Sequence, residues 1–578
     1  MIEMYEAPRL GKTRMRRITI AVAIALSFGA AALAARPPVR AHNGMVVTSE
    51  RRASEVGVDI LKHGGNAIDA AVAVGYALAV VHPCCGNLGG GGFAVIHLAN
   101  GKTTVISFRE TAPEAATANL FLDAKGDVVP GLGQVGYKAV AVPGSVLGLE
   151  TMRQRYGRLS RARVMAPAIR LAEQGYKLSA DNVSLLSQKT SDFARQPNVA
   201  ATFLHNGEPW REGDIFVQAD LARTLKLIAR DGPDAFYKGS IADEIVAASQ
   251  ANGGILSKHD FETYTEVENP PVRCRYRGYE VVAAAPPSAG GVALCEILTV
   301  LQGYDLNGAG FNSAASVHLL AEAMRHAFVD RNFRLGDPAF LHNPVAELVS
   351  PEHAAAIRAQ IKPDKATPSV EITAGELSPE GAQTTHASII DRRGNAVALT
   401  VTLNYNYGAK VIAGRTGFFL NDTMDDFTAK PGAADSLGLH NAIGPGKRPL
   451  AAMTPTMLLK DGRVVMVIGS PGGFRIITTV AQVISNTLDH EMDIQSAIDA
   501  PRVHLQWLPD ILYLEPNAIS PATRRDLTGM GYALADETPW SEADAQGIVV
   551  KPGRRPRSQA LFLGGHDTRR PGSAAIGY

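Results

Sequence analysis

Cysteine is scarce in this chain. Four occur in 578 residues, and two of them, Cys84 and Cys85, are adjacent. No C-x-x-C spacing occurs, which removes support for a zinc-ribbon or thioredoxin-type site. A surplus of one charge is missing as well: 57 Lys plus Arg stand against 56 Asp plus Glu. With no basic excess and no acidic tail, nucleic acid is not an indicated partner. The glycine run in GNLGGGGF (Gly86 to Phe93) lacks G-K-[ST] and follows no strand. That argues against a phosphate-cradling loop and makes close backbone packing the better reading. No internal repeat is visible, and nothing calls for a metal or an organic cofactor. In an exported chain Cys274 can pair with Cys295; otherwise all four cysteines serve as small buried apolar groups.

What is present is a globular composition, 46% hydrophobic and 20% charged. It is long enough for two or more cores or one large layered domain. The N-terminus stands apart. Lys12, Arg14, Arg16 and Arg17 precede the apolar run Ile18 to Ala34, which ends in small residues. That layout predicts a cleaved secretory signal over residues 1–34, and so a periplasmic or secreted protein without a lasting membrane span. An uncleaved anchor is the competing reading, because the run approaches the lower limit for a span. After it, Met45 to Pro83 reads as two helices broken at Gly64-Gly65, the second buried between layers. Residues from Val142 to about Asp260 carry helical periodicity. Residues 362–380 are polar and broken by proline, the pattern of an exposed loop.

The texture changes at Thr384. TTHASIID and AVALTVTLN alternate around RRGN, which predicts a β-hairpin. If Arg392, Arg393 and Gly394 form the turn, Thr384 falls opposite Thr402, and a one-residue slip would break that pairing. Thr384, His386 and Ser388 share one face, and Thr400, Thr402 and Asn404 share one face of the second strand. Further on, LNDTMDDF crowds Asp422, Asp425 and Asp426 into one loop. GSPGGFR can present the Gly472 and Gly473 amides to an oxyanion. Taken alone, the hairpin reads first as a threonine-rich strand pair with hydroxyls facing solvent, since Thr is common in strands, and the Gly-Gly allows a plain turn. Strands and helices are mixed, so a layered α/β domain is predicted.

TTHASIIDRRGNAVALTVTLN, LNDTMDDF, GPGKRPLAAMTPT, GSPGGFRIITT and APRVHLQWLPD resemble, in order, the small-subunit motifs of γ-glutamyltransferases. VHPCCGNLGGGGF, SFRETAP and PPSAGGVAL resemble their large-subunit motifs. The resemblance covers nearly all of the mature chain. It implies an N-terminal nucleophile hydrolase fold, an αββα sandwich, and a precursor that cuts itself between Gln383 and Thr384. A large subunit (35–383) and a small catalytic subunit (384–578) would then associate as a heterodimer. Thr384 Oγ would attack a γ-glutamyl carbonyl, as in glutathione, and its freed α-amine would act as base; unperturbed, such an amine titrates near ~7.7–8. Water, an amino acid or a peptide would accept the acyl group. The resemblance also gives Thr402 to orienting the nucleophile, and Gly472 and Gly473 to the oxyanion. Arg109 is given to the substrate α-carboxylate, and Asn404, Thr423 and Asp426 to the α-amino end. His386 reads as structural support, since an N-terminal threonine brings its own base.

Four positions depart from the family pattern. Ala451-Ala452 stands where a serine pair donates to the α-carboxylate. Leu437 stands where a lid tyrosine is common. Thr423 replaces Asn, Gln or Glu. The retained Asp426 favours a γ-glutamyl substrate, because a buried carboxylate without an ammonium partner is costly. The alanines favour an acylase of the same fold acting on a glutaryl-type amide. An inactive binding homologue is the third reading, opposed by Thr384, Thr402 and the Gly pair.

Overall fold

The computed structural model describes residues 36–373, 383–430, 439–538, 540–553 and 559–578. The expected signal segment and Leu437 lie outside these residues. No helix among the described residues is long and apolar enough to cross a membrane.

Period-two apolar runs build fourteen strands into two seven-stranded sheets. In chain order these are β1 (Val39–Ala41), β2 (Gly44–Thr48), β3 (Gly91–His97), β4 (Thr103–Phe108), β5 (Val267–Asn269), β6 (Val272–Tyr276), β7 (Tyr279–Ala283), β8 (Gln383–Asp391), β9 (Ala396–Asn404), β10 (Thr456–Lys460), β11 (Arg463–Gly469), β12 (Gln546–Lys551), β13 (Leu561–His566) and β14 (Ala574–Gly577). The first sheet runs β1-β13-β12-β11-β10-β7-β6, and the second β14-β2-β8-β9-β3-β4-β5. All pairings within them are antiparallel.

The helices that cover these sheets include α1 (Arg51–Lys62), α2 (Ala67–Val81), α3 (Ser145–Tyr156), α4 (Arg161–Gln174), α5 (Gly290–Leu301), α6 (Ala314–Arg334), α7 (Pro351–Gln360) and α8 (Arg475–Leu488). Strand alternation sorts side chains into layers. Met45 and Val47 of β2 face Val467, Ile548 and Phe562 of the first sheet, while Val46 points the other way, into the core built with α2. On the far side of the first sheet, Leu458, Met466 and Ile468 pack with Ile297 of α5 and Ile477 and Val480 of α8. The order is therefore helix, sheet, sheet, helix, as expected.

Local chemistry explains the elements around the site. Asn66 and Asp69 form a capping box that starts α2, after the break that Gly64 makes with φ +95°. Every residue of α2 is buried. The glycine run serves close packing: a Cβ on Gly90 would overlap the Thr402 carbonyl, and one on Gly92 the Thr400 carbonyl. Both cysteine pairs are joined, Cys274 to Cys295 and also Cys84 to Cys85. The second bond was not anticipated from the sequence.

Candidate active site

Register decides which hydroxyls meet. In the β8–β9 hairpin Thr384 pairs with Thr402 and His386 with Thr400, and Asp391 N–H bonds to Asn395 O across Arg392, Arg393 and Gly394. This is the expected register. An irregularity between Gln383 and Thr384 marks the start of the strand. There the Thr402 hydroxyl donates to the Gln383 carbonyl at 2.8 Å, and Thr402 Oγ1 accepts from the Asn404 amide, also at 2.8 Å. Thr384 Oγ1 lies 3.4 Å from Thr402 Oγ1. Thr384 and Thr402 are each 3% exposed. Thr385 faces the other way and meets the Ser49 hydroxyl at 3.3 Å.

His386 continues the Thr384 face and is fully buried. Its Nδ1 meets Thr400 Oγ1 at 2.8 Å and its Nε2 meets Ser388 Oγ at 3.1 Å. Burial pushes its pKa down to about 3. The ring is neutral and both nitrogens are spent on hydroxyls. It lies against Gly469, where any Cβ would overlap it. This contact ties the hairpin to the end of β11, from which Ser470 and Pro471 lead to Gly472 and Gly473. These two have φ of +123° and +55°, a left-handed backbone that glycine adopts without strain. Among the described residues neither of their amides donates to a backbone carbonyl. They precede the N-terminus of α8, where the helix dipole favours negative charge.

Sheet order brings in the remaining candidates. β9 pairs with β3 and β3 with β4, so Thr402 lies beside Gly91, and Phe108 beside Gly92. Arg109 follows Phe108 at the same sheet end and is fully buried. Its Nε donates to Pro449 O at 3.3 Å and its Nη2 to Leu450 O at 3.0 Å. Nη2 also pairs with Asp426, and Nη1 lies 3.3 Å from Glu110. The residues assigned to opposite ends of a substrate head thus touch each other directly. Asn404 (φ +85°) donates from Nδ2 to Asp422 O at 3.1 Å, and Thr423 Oγ1 donates to Glu110 Oε1 at 3.0 Å. Glu110 was missed by sequence reasoning. Its signal was adjacency to Arg109, which strand alternation argues against until the strand ends.

The carboxylates here are crowded. Burial pushes Asp422 up to about 7, with Lys410, 3.4 Å away, pulling the other way. Burial and Asp426 push Asp425 up to about 6. Glu110 is also raised by burial, against the pull of Arg109. Ala451 and Ala452 are 1% and 0% exposed. Their backbones are held by Pro287 O, which accepts from Ala451 N–H at 3.0 Å, by Ala289 N–H on Ala451 O at 2.9 Å, and by the Thr454 hydroxyl on Ala452 O at 2.7 Å. A cleft of about 430 Å³ reaches Gln383 and is lined also by Asn406, Glu542, Arg569 and Arg570.

The family model described as Gamma-glutamyltranspeptidase matches residues 53–577. The chain is 50% identical over 552 residues to the glutathione hydrolase proenzyme of Pseudomonas sp. (strain A14), covering 94% of this chain and 96% of that one. It is 44% identical over 561 residues to the glutathione hydrolase proenzyme of Escherichia coli (strain K12), covering 93% and 96%. Among solved structures, the cephalosporin acylase from Bacillus halodurans superposes with a TM-score of 0.82 at 29% identity, covering 94% of this chain and 97% of that one.

Proposed function

This chain belongs to the gamma-glutamyltranspeptidase family, and from that premise we propose that it is a self-cleaving γ-glutamyl hydrolase or transferase acting on glutathione and related amides. The observation that carries the reading is the relay at the Gln383–Thr384 bond. Asn404 N–H bonds to Thr402 Oγ1, and the Thr402 hydroxyl bonds to the Gln383 carbonyl. That carbonyl is the one Thr384 Oγ must attack to shift the chain from nitrogen to oxygen. A hydroxyl already on its oxygen stabilises the charge that develops there. The shift breaks the C–N bond and frees the Thr384 amine, and hydrolysis of the resulting ester then releases the Gln383 carboxylate and restores the Thr384 hydroxyl.

In the mature enzyme that amine takes the proton from Thr384 Oγ as it attacks the substrate amide. The Gly472 and Gly473 amides, at the positive end of α8, receive the oxyanion. The acyl-enzyme then passes to water, an amino acid or a peptide. An amino-acid head carries one charge of each sign. Its carboxylate suits Arg109 and its ammonium suits Asp426 with Asn404, so it exchanges one internal ion pair for two. Thr423 props Glu110 beside Arg109. The subunits are 35–383 and 384–578, exported after loss of residues 1–34.

The test is Thr384→Ala. A single uncut, inactive chain on a denaturing gel is expected; two bands would refute the assignment. One observation favours a second reading, an acylase for an acyl group without the amino-acid head. Ala451 and Ala452 offer no side-chain donor where the serine pair would stand. Product identification by mass after incubation with glutathione, glutamine and a glutaryl amide separates the two.

A further inference from the structure

Three side chains far apart in sequence meet behind the first sheet. Glu296 sits in the middle of α5, Asp330 in the last turns of α6, and His353 in the first turn of α7, where the Ser350 hydroxyl caps its amide. One ligand atom from each lies within 4.8 Å of the others. His353 Nε2 is 2.7 Å from Asp330 Oδ2 and 3.7 Å from Glu296 Oε1.

Their burial is uneven. Glu296 is 1% exposed, and neither of its carboxylate oxygens has a hydrogen-bond partner among the described residues. The side chains of Asp330 and His353 are 15% and 18% exposed, so the opening to solvent is on their side. One turn back on α6, His326 is 6% exposed and its Nε2 also lacks a partner among the described residues. Arg334, one turn on, lies 3.6 Å from the outer oxygen of Asp330 and also holds Glu347.

A carboxylate buried without a hydrogen-bond donor is costly, and an apolar residue at position 296 would carry no such cost. The three groups are a nitrogen and two carboxylates. Their charge, with a neutral imidazole, is matched by one dication. We propose that Glu296, Asp330 and His353 form a site for a zinc-class divalent cation that fastens α5, α6 and α7 to one another. One imidazole and two carboxylates suit zinc, cobalt or manganese better than copper(I), which prefers sulfur, or calcium, which prefers oxygen alone. Water from the open side completes the coordination. The other His/Cys group, His82 with Cys84 and Cys85, has both sulfurs tied in a disulfide and offers no comparable site.

The test uses the mature enzyme, dialysed against EDTA and titrated with Co²⁺ and then Zn²⁺. One equivalent of Co²⁺ should bind with visible d–d absorption and be displaced by Zn²⁺. Saturating Zn²⁺ should raise the thermal midpoint by a few degrees. Glu296→Gln and His353→Gln should lose the equivalent and the shift, yet remain cut and active. Unaltered stoichiometry in both variants, or no bound metal at ~100 μM, overturns the site. Should either variant fail to fold, pulsed electron paramagnetic resonance of the wild type loaded with one equivalent of Mn²⁺ decides. Coupling of the ion to one imidazole nitrogen supports the site, and its absence overturns it.

Discussion

Single residues carry most of the proposed chemistry, the hydroxyl of Thr402 above all. It touches the Gln383 carbonyl at 2.8 Å before any cut is made. Thr402→Ala should slow maturation at least tenfold, and Thr402→Ser should restore it, followed by the ratio of cut to uncut chain over time; equal rates in all three would remove the relay from the mechanism. Ala451 and Ala452 make the opposite kind of claim, by what they lack. A hydrogen bond to a charged group contributes ~1.5–3 kcal/mol. Restoring Ser at both positions should lower KM for a γ-glutamyl anilide, and an unchanged or raised KM would end the argument from those alanines. His386 gives a pH prediction. Its folded pKa is about 3, against ~6.5 when unfolded. Between these values the unfolded chain holds the extra proton, so this residue's contribution to stability falls as the pH drops from 6.5. The slope is up to ~1.4 kcal/mol per pH unit. Asp422, raised to about 7, works the other way between its unfolded value and 7, which is why a difference must be measured. Urea midpoints between pH 7 and pH 5 should fall less in His386→Gln than in the wild type; parallel slopes would contradict the buried neutral ring.

Among the elements, the hairpin was legible and its surroundings were not. Alternation and the RRGN turn are local, and they are enough to set Thr384 against Thr402. The glycine run was legible as close packing, though its partner was not, since that partner is a strand some three hundred residues on. Gly90→Ala tests this packing. Its Cβ would meet the Thr402 carbonyl, and strand backbone yields poorly, so a loss of ~1–3 kcal/mol and impaired cleavage are expected. Normal maturation in that variant would place the methyl where no room was found. The Arg109–Asp426 contact was hidden for a similar reason. Each residue was readable as a substrate ligand, but only the sheet order β9-β3-β4 brings them to one end. The Glu296, Asp330 and His353 group had no sequence signal, because its members come from three helices and share no spacing pattern.

At the scale of the whole molecule, the proposed cut lies inside a sheet. Apart from Gln383 itself, β8 and β9 lie after that cut, yet they are hydrogen-bonded to β2 and β3, which precede it. Both disulfides lie before the cut. The two subunits should therefore run apart on a denaturing gel with or without reductant, and elute together under native conditions. Dissociation without unfolding would contradict the shared sheet. The layered class could be read from the mixture of strands and helices. The layering itself follows from which face each strand buries, and residues such as Val46, flanked by Met45 and Val47, settle that only in three dimensions. All of this rests on one event, the break that turns Thr384 into an N-terminus. Intact-mass measurement and N-terminal sequencing of the purified active enzyme test it directly. The account predicts a small subunit beginning at Thr384. An active protein still continuous across 383 and 384, or one cut elsewhere, would contradict it.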